Sequence, residues 1–417
     1  MKFRRIFCLL LGCHLLFCAN LSAQEEFVEP PSQLLTRIPF EQLTGGVIVF
    51  RAQLDQFPDT LRFILDTGSS GISLDSTTAA YFGLQPEPSN RSIRGIGGIR
   101  KVSFLNDRTL RFPNLNVDSL DFHVNDYSIL TNVYGLHVDG IVGYSLLNRY
   151  IVKVNYDSLF IEICSKGMIR YPKGGFLLKP SMGTLPVHFA KVRDAKSHNV
   201  RFLHDIGAGL CLMLSSDFVG DSGTISRKRV VLSKEAEGVG GTIDMKVTIV
   251  KELKIGPYRF RNVPTYIFDD EYNVTSYPFL AGIIGNDIFR RFNTIINYPR
   301  RDIYLVPNSH YRDPFDYSYS GMELYYVDGK ILLGDVAKGS PAEAAGLKEG
   351  DEVIALNNNF TQNFNNYKYI IQSTTGKLKI IVMRNGELQQ YEIKMKTIIQ
   401  KKKLRLRRQK DITRQPG

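Results

Sequence analysis

One pattern occurs twice in this chain. Phe63-Ile64-Leu65-Asp66-Thr67-Gly68-Ser69-Ser70-Gly71-Ile72-Ser73-Leu74 is echoed by Phe202-Leu203-His204-Asp205-Ile206-Gly207-Ala208-Gly209-Leu210-Cys211-Leu212. Each copy is an apolar strand ending in Asp-x-Gly, a turn of small residues, and a second apolar strand. Gly95-Ile96-Gly97-Gly98 lies downstream of the first copy and Gly238-Val239-Gly240-Gly241 downstream of the second. Gly140-Ile141-Val142-Gly143 and Gly282-Ile283-Ile284-Gly285 come further on, and the three offsets are 139, 143 and 142 residues. A single Asp-Thr-Gly is a weak signal. Three features in one order at nearly constant spacing define two homologous lobes, each about 130 residues, a normal domain size.

The rest of each lobe reads as short strands. Val47–Leu54, Val102–Phe104, Leu110–Phe112 and Leu120–Val124 belong to the first lobe. Met245–Ile249, Glu252–Ile255 and Thr265–Ile267 belong to the second. Each lobe closes with a helical turn and two strands: Leu146–Arg149, Ile151–Tyr156 and Phe160–Ile163 in the first, Ile288–Arg291, Thr294–Tyr298 and Ile303–Val306 in the second. The 25 Phe, 21 Tyr, 35 Gly and 18 Pro agree with β structure. The expected fold is mainly β: two β-barrel lobes, over 35–170 and 180–307, and a small third β-rich unit over 318–397. Pro307–Tyr317 reads as a linker. In the third unit, strands are expected at Lys330–Val336, Glu352–Leu356, Lys377–Arg384 and Glu387–Met395. The last two flank Asn385-Gly386, a hairpin signal.

A strand that ends in Asp with Gly two residues later presents its carboxylate on a tight turn. Two such turns, brought together by pseudo-twofold packing, place two carboxylates at hydrogen-bond distance. They cannot both ionise cheaply, so they share a proton. One can then take a proton from water while the other polarises a carbonyl, which is hydrolysis without metal or cofactor.

Asp66-Thr67-Gly68-Ser69, with its apolar prefix and Gly140–Gly143, resembles the signature of pepsin- and retropepsin-type aspartic proteases. The resemblance covers about Leu43–Pro307, and the short lobes are more similar to fused retropepsin units than to pepsin lobes. It implies Asp66 and Asp205 as the catalytic pair and Thr67, Gly68, Ser69, Ile206 and Gly207 as active-site loop residues. Gly95, Ile96, Gly97 and Gly98, with Gly238, Val239, Gly240 and Gly241, resemble flap tips that close over a peptide or protein substrate. Ile206 departs from the pattern: the family's Thr there bonds across the lobe interface, and Ile has no hydroxyl. That departure keeps open a second reading, a weak or inactive pseudoprotease that binds peptides.

Gly339-Ser340-Pro341-Ala342-Glu343-Ala344-Ala345-Gly346-Leu347-Lys348-Glu349-Gly350-Asp351, continuing to Asn357, resembles a bacterial-type PDZ domain. Chain order puts the corresponding carboxylate-binding loop at Gly321, Met322, Glu323 and Leu324. A C-terminal peptide is the ligand this implies.

Other chemistries find no support. The seven His form no H-E-x-x-H grouping and no G-x-S-x-G elbow is present, so neither a zinc protease nor a serine hydrolase is expected. The net charge of +12 sits at the ends: +3 in the first five residues and +7 in Lys401–Gly417, which leaves +2 for the body. A nucleic-acid partner is therefore not expected. Lys2, Arg4 and Arg5, the apolar run Ile6–Phe17 and small residues up to Ala23 read as a signal peptide over 1–23. Export to the periplasm or the outside follows; a membrane anchor and a lipid anchor at Cys13 are the alternatives. Mature cysteines are then Cys164 and Cys211, read as buried free thiols. The basic tail 401–417 reads as solvated disorder, with weak contact to an anionic surface as the other reading.

Overall fold

The computed structural model describes residues 29–238 and 241–399. The signal segment, the basic tail, Val239 and Gly240 lie outside the described residues.

In the first lobe, Ile48–Leu54 buries Phe50, Ala52 and Leu54 while Arg51 is exposed, the period-two pattern of a half-buried strand. It pairs antiparallel with Leu61–Leu65 on one side and with Ser103–Phe112 on the other. From there the sheet runs through Gly140–Val142, Ile72–Asp75 and Leu115–Asn125 back to Ser103–Phe112, closing a six-stranded barrel. The second lobe repeats the circuit with Pro186–Arg193, Ser197–His204, Gly282–Ile284, Leu212–Ser215, Tyr258–Phe268 and Gly241–Ile255, closed by pairing of the first strand with the last. Closure removes the edges that would otherwise invite aggregation.

The strands that end the lobes join them. Ile151–Asn155 pairs antiparallel with Phe292–Asn297, Val152 opposite Ile296. Phe160–Cys164, Leu34–Gln42, Asp302–Pro307 and Phe176–Leu178 extend this ladder on its two sides. One continuous apolar core, from Phe63 and Val152 to Phe202 and Ile296, runs through both barrels and the ladder.

Residues beyond Ser318 carry a core of their own, formed by Leu324, Leu333, Val353, Tyr367, Ile380 and Ile393. Five antiparallel strands stand in the order Met322–Val327, Lys330–Val336, Glu352–Leu356, Lys377–Arg384, Glu387–Lys394. Met322–Val327 is thus an edge strand. Asn385 and Gly386 take φ of 52° and 81°, the type I′ hairpin their sequence predicts.

Three expectations need correction. The separate segments Val102–Phe104 and Leu110–Phe112 are one strand, and Leu120–Val124 is part of Leu115–Asn125. Their polar interruptions are bulges, with Asp107 at φ 53° and Ser119 at φ 54°, not strand ends. Likewise Met245–Ile249 and Glu252–Ile255 are one strand, Gly241–Ile255. Pro307–Tyr317 is not a loose linker: it includes a 3-10 turn, Ser309–Arg312, and packs Tyr311 and Phe315 on the lobe core. The cause is Arg291, only 1% exposed, which needs acceptors for its guanidinium. It donates to the Asp313 carbonyl (2.5 Å) and lies over the Phe315 ring.

Candidate active site

The two Asp-x-Gly turns are built alike. Leu61–Leu65 runs parallel to Gly140–Val142, and the Asp66 N–H donates to the Val142 carbonyl (2.9 Å). Ser197–His204 runs parallel to Gly282–Ile284, and the Asp205 N–H donates to the Ile284 carbonyl (3.0 Å). Past each apolar-Gly strand the chain ties back to the turn: Tyr144 N–H to the Ser69 carbonyl (3.0 Å), Asn286 N–H to the Ala208 carbonyl (2.7 Å). Both carboxylates are therefore held by two crossed strands and a loop.

The turns meet across the lobe boundary. A Cβ on Gly68 would fall 2.4 Å from Asp205 Oδ2, and one on Gly207 would fall 2.3 Å from Asp66 Cγ. Each lobe's glycine therefore lies against the other lobe's acid, at a separation no side chain allows. The carboxyls are hydrogen-bonded to each other. Asp66 also accepts from the Gly68 N–H (2.6 Å); Asp205 accepts from the N–H groups of Gly207 (2.8 Å) and Ala208 (2.9 Å).

Burial raises both acids above the usual carboxylate range. The charge of Asp205 and their mutual hydrogen bond push Asp66 further up. Asp205 is pulled back by the hydrogen Asp66 gives it and by its two backbone donors. The pair titrates as a unit, with the shared proton toward Asp66.

Thr67 is fully buried. Its hydroxyl donates to the His204 carbonyl (2.6 Å) and accepts from the Ile206 N–H (3.0 Å), so one side chain makes both bonds across the boundary. Ile206, 2% exposed, packs into the shared core. The hydroxyl missing from the second motif thus leaves a filled, apolar site, and the turns still meet. A second clamp gave no sequence signal. Asn286 accepts from the Tyr156 hydroxyl (2.8 Å) and donates to the Gly46 carbonyl (2.5 Å), joining the second lobe's terminal turn to the first lobe.

Ser92–Gly95 and Gly98–Lys101 form one hairpin, and Leu232–Gly238 with Gly241–Ile255 the other. The two tips touch: a Cβ on Gly97 would lie 2.2 Å from the Gly241 carbonyl oxygen. Ile96 reaches over to the second lobe's apolar patch beside Ala208 and Leu210, and Arg94 donates to the Asn273 carbonyl (3.1 Å). His204 faces away from the pair, stacked on Phe289 with ring centroids 3.5 Å apart. Cys164 and Cys211 are buried and unpaired by disulfide. Gly321 and Met322 open the edge strand of the small sheet, while Glu323 points at the second hairpin and pairs with Lys234 (2.7 Å).

Two crossed-strand loops from two similar barrels, with an acid pair between them and a hairpin from each lobe meeting its counterpart, define a retropepsin-like bilobal architecture. The aspartyl protease family matches residues 51–146 and 190–288, one stretch in each barrel, and the PDZ domain family matches 333–385. The two lobes belong to the aspartyl protease family and are followed by a PDZ domain. A protein of Lactococcus lactis subsp. lactis (strain IL1403), whose name marks it as a candidate zinc metalloprotease, is 40% identical over 70 residues. That stretch is 15% of this chain and 16% of the relative, so the chain spans about a sixth of the relative's length. Among the described residues, no three His, Cys, Asp or Glu side chains gather as a metal site would require.

Proposed function

We propose that the chain is an exported aspartic endopeptidase with a peptide-binding PDZ domain. The observation that carries this reading is the reciprocal placement of Gly68 under Asp205 and Gly207 under Asp66, with the carboxyls hydrogen-bonded to each other. A water held between the carboxyls gives a proton to Asp205 as its oxygen bonds to the scissile carbonyl carbon. Asp66 gives its proton to the carbonyl oxygen. In the second step the C–N bond breaks, the leaving nitrogen takes the proton from Asp205, and the hydroxyl returns one to Asp66. On this reading the two hairpins, which meet at Gly97 and Gly241, act as flaps over a bound peptide, and closing them excludes bulk water.

Thr67 still makes its own two bonds to the second lobe, so the turns stay joined without a hydroxyl at position 206, which supports the protease reading over the pseudoprotease one. The test is cleavage of an unstructured protein substrate by the wild type, Asp66→Asn and Asp205→Asn. Loss in both variants is expected; unchanged cleavage by either removes that residue from the mechanism. Export rests on the signal-like N-terminus, and a mature product starting at Gln24 is the result expected from N-terminal sequencing.

A further inference from the structure

The PDZ unit binds peptides, on the reading above, by adding a strand to its sheet edge. The edge available is Met322–Val327, and the helix Phe364–Ser373 packs beside it, with the Tyr326 and Phe364 ring centroids 5.9 Å apart. The groove between that strand and that helix is not open. A helix of the first lobe, Ser128–Tyr134, packs along the edge strand. Its C-terminal end reaches the groove's other wall: Lys368 donates to the Val133 carbonyl, and the capping Gly135 abuts the Phe364 ring, where a Cβ would lie 2.3 Å from Cδ1.

The same lobe helix packs on the sheet that carries the Asp66 loop. Ile129, Leu130 and Tyr134 pack with Ile141, which belongs to the strand beside the Asp66 loop. It also touches the second hairpin strand, Leu232–Gly238. That hairpin is tied to the PDZ unit directly, by Lys234 with Glu323 (2.7 Å) and by the Tyr319 hydroxyl donating to the Ser233 carbonyl (2.6 Å). Helix, hairpin and PDZ edge strand therefore form one connected contact network.

We infer that the helix Ser128–Tyr134 occupies the PDZ groove in place of a peptide, so that a chain ending in a free carboxylate must displace it to bind. Displacement takes away packing from the strand beside the Asp66 loop and from the second hairpin together. A peptide arriving at the PDZ unit thereby reports to the acid pair through contacts that already exist, and the hydrolytic unit is held in a different state until the groove is claimed. The inference rests on the PDZ reading given above but not on cleavage.

The chain has no Trp, so Tyr134→Trp places the only indole on the helix. The probe is a heptapeptide ending in valine with a free carboxylate, titrated into the full chain, with its C-terminal amide as the control. The expected result is binding of the acid form only, with a red shift of indole emission that saturates along the binding isotherm. Gly135→Ala, which drives a methyl into the Phe364 ring and φ strain into the cap while leaving every residue of the PDZ unit unchanged, should tighten binding. The gain is about tenfold if the native groove is open about one-tenth of the time. Peptide binding with unchanged emission and equal affinity in both variants overturns the inference and leaves the PDZ reading standing. No binding in the wild type or in Gly135→Ala overturns both.

Discussion

Thr67→Val tests the asymmetry of the interface. The substitution keeps the shape of the side chain and removes the hydroxyl. In the native protein that oxygen satisfies two buried backbone groups of the other lobe, the His204 carbonyl at 2.6 Å and the Ile206 N–H at 3.0 Å. An unsatisfied buried group costs about 1–3 kcal/mol, so losing both partners costs about 2–6 kcal/mol, with the low end reached if the turn relaxes. A threonine at position 206 would add a second hydroxyl directed at the first lobe; Ile206 supplies none, so at these two positions Thr67 alone bonds across. Thr265→Val is the comparator, since Thr265 is equally buried but bonds only to the Val263 carbonyl within its own strand (3.0 Å). Urea unfolding followed by circular dichroism gives both values. Thr67→Val should lose clearly more than the comparator, and its cleavage should fall with it, because the bonded groups flank Asp205. Equal and small losses, under about 0.5 kcal/mol, would refute the view that one hydroxyl registers the two turns.

Gly68→Ala and Gly207→Ala place a methyl within 2.4 Å of the opposite acid and should reduce kcat by at least about 100-fold, whereas Gly220→Ala, where a Cβ meets open space, should leave activity intact. Because the folded protein raises both acids, it binds more protons than the unfolded chain above the ordinary value of 3.8. The stability the pair contributes is full below that value and is lost as pH rises through the folded values; Asp66→Asn should flatten that dependence in urea midpoints measured across pH. The buried histidines act in the opposite sense. Burial lowers His188 from 6.5 to about 4 and holds His204 well below its usual range. Their contribution is full above pH 6.5 and falls as pH drops toward 4, where His188 alone costs about 3 kcal/mol. His188→Leu should remove that part of the acid loss in the same titration.

The candidate site was legible because its chemistry demands small residues at fixed places. Asp66 and Asp205 needed glycine opposite them, and the crossed strands needed Gly140 and Gly282; both demands repeat at one spacing and stand out. The hairpin tips were legible for the same reason, since Gly97 and Gly241 touch backbone to backbone. Strand lengths were not, because Asp107 and Ser119 read as breakers and act as bulges. Seven residues of helix at Ser128–Tyr134 carry no side-chain N-cap, and Phe364–Ser373 begins at an Asn that reads equally well as a turn. Contacts such as Lys234 with Glu323 leave no trace in any motif, since a surface Lys and a surface Glu have no fixed partner until the domains meet.

The ladder between Ile151–Asn155 and Phe292–Asn297 has a consequence for how the halves can change. A site assembled from two separate identical chains falls apart on dilution and must remain self-complementary. Here the stoichiometry is fixed by covalent connection, and the local concentration of one half around the other does not depend on how much protein is present. Each half is then at liberty to specialise. One has kept the hydroxyl that spans the boundary and the other has turned the same position into hydrophobic filling, a division of labour that no self-associating barrel could adopt.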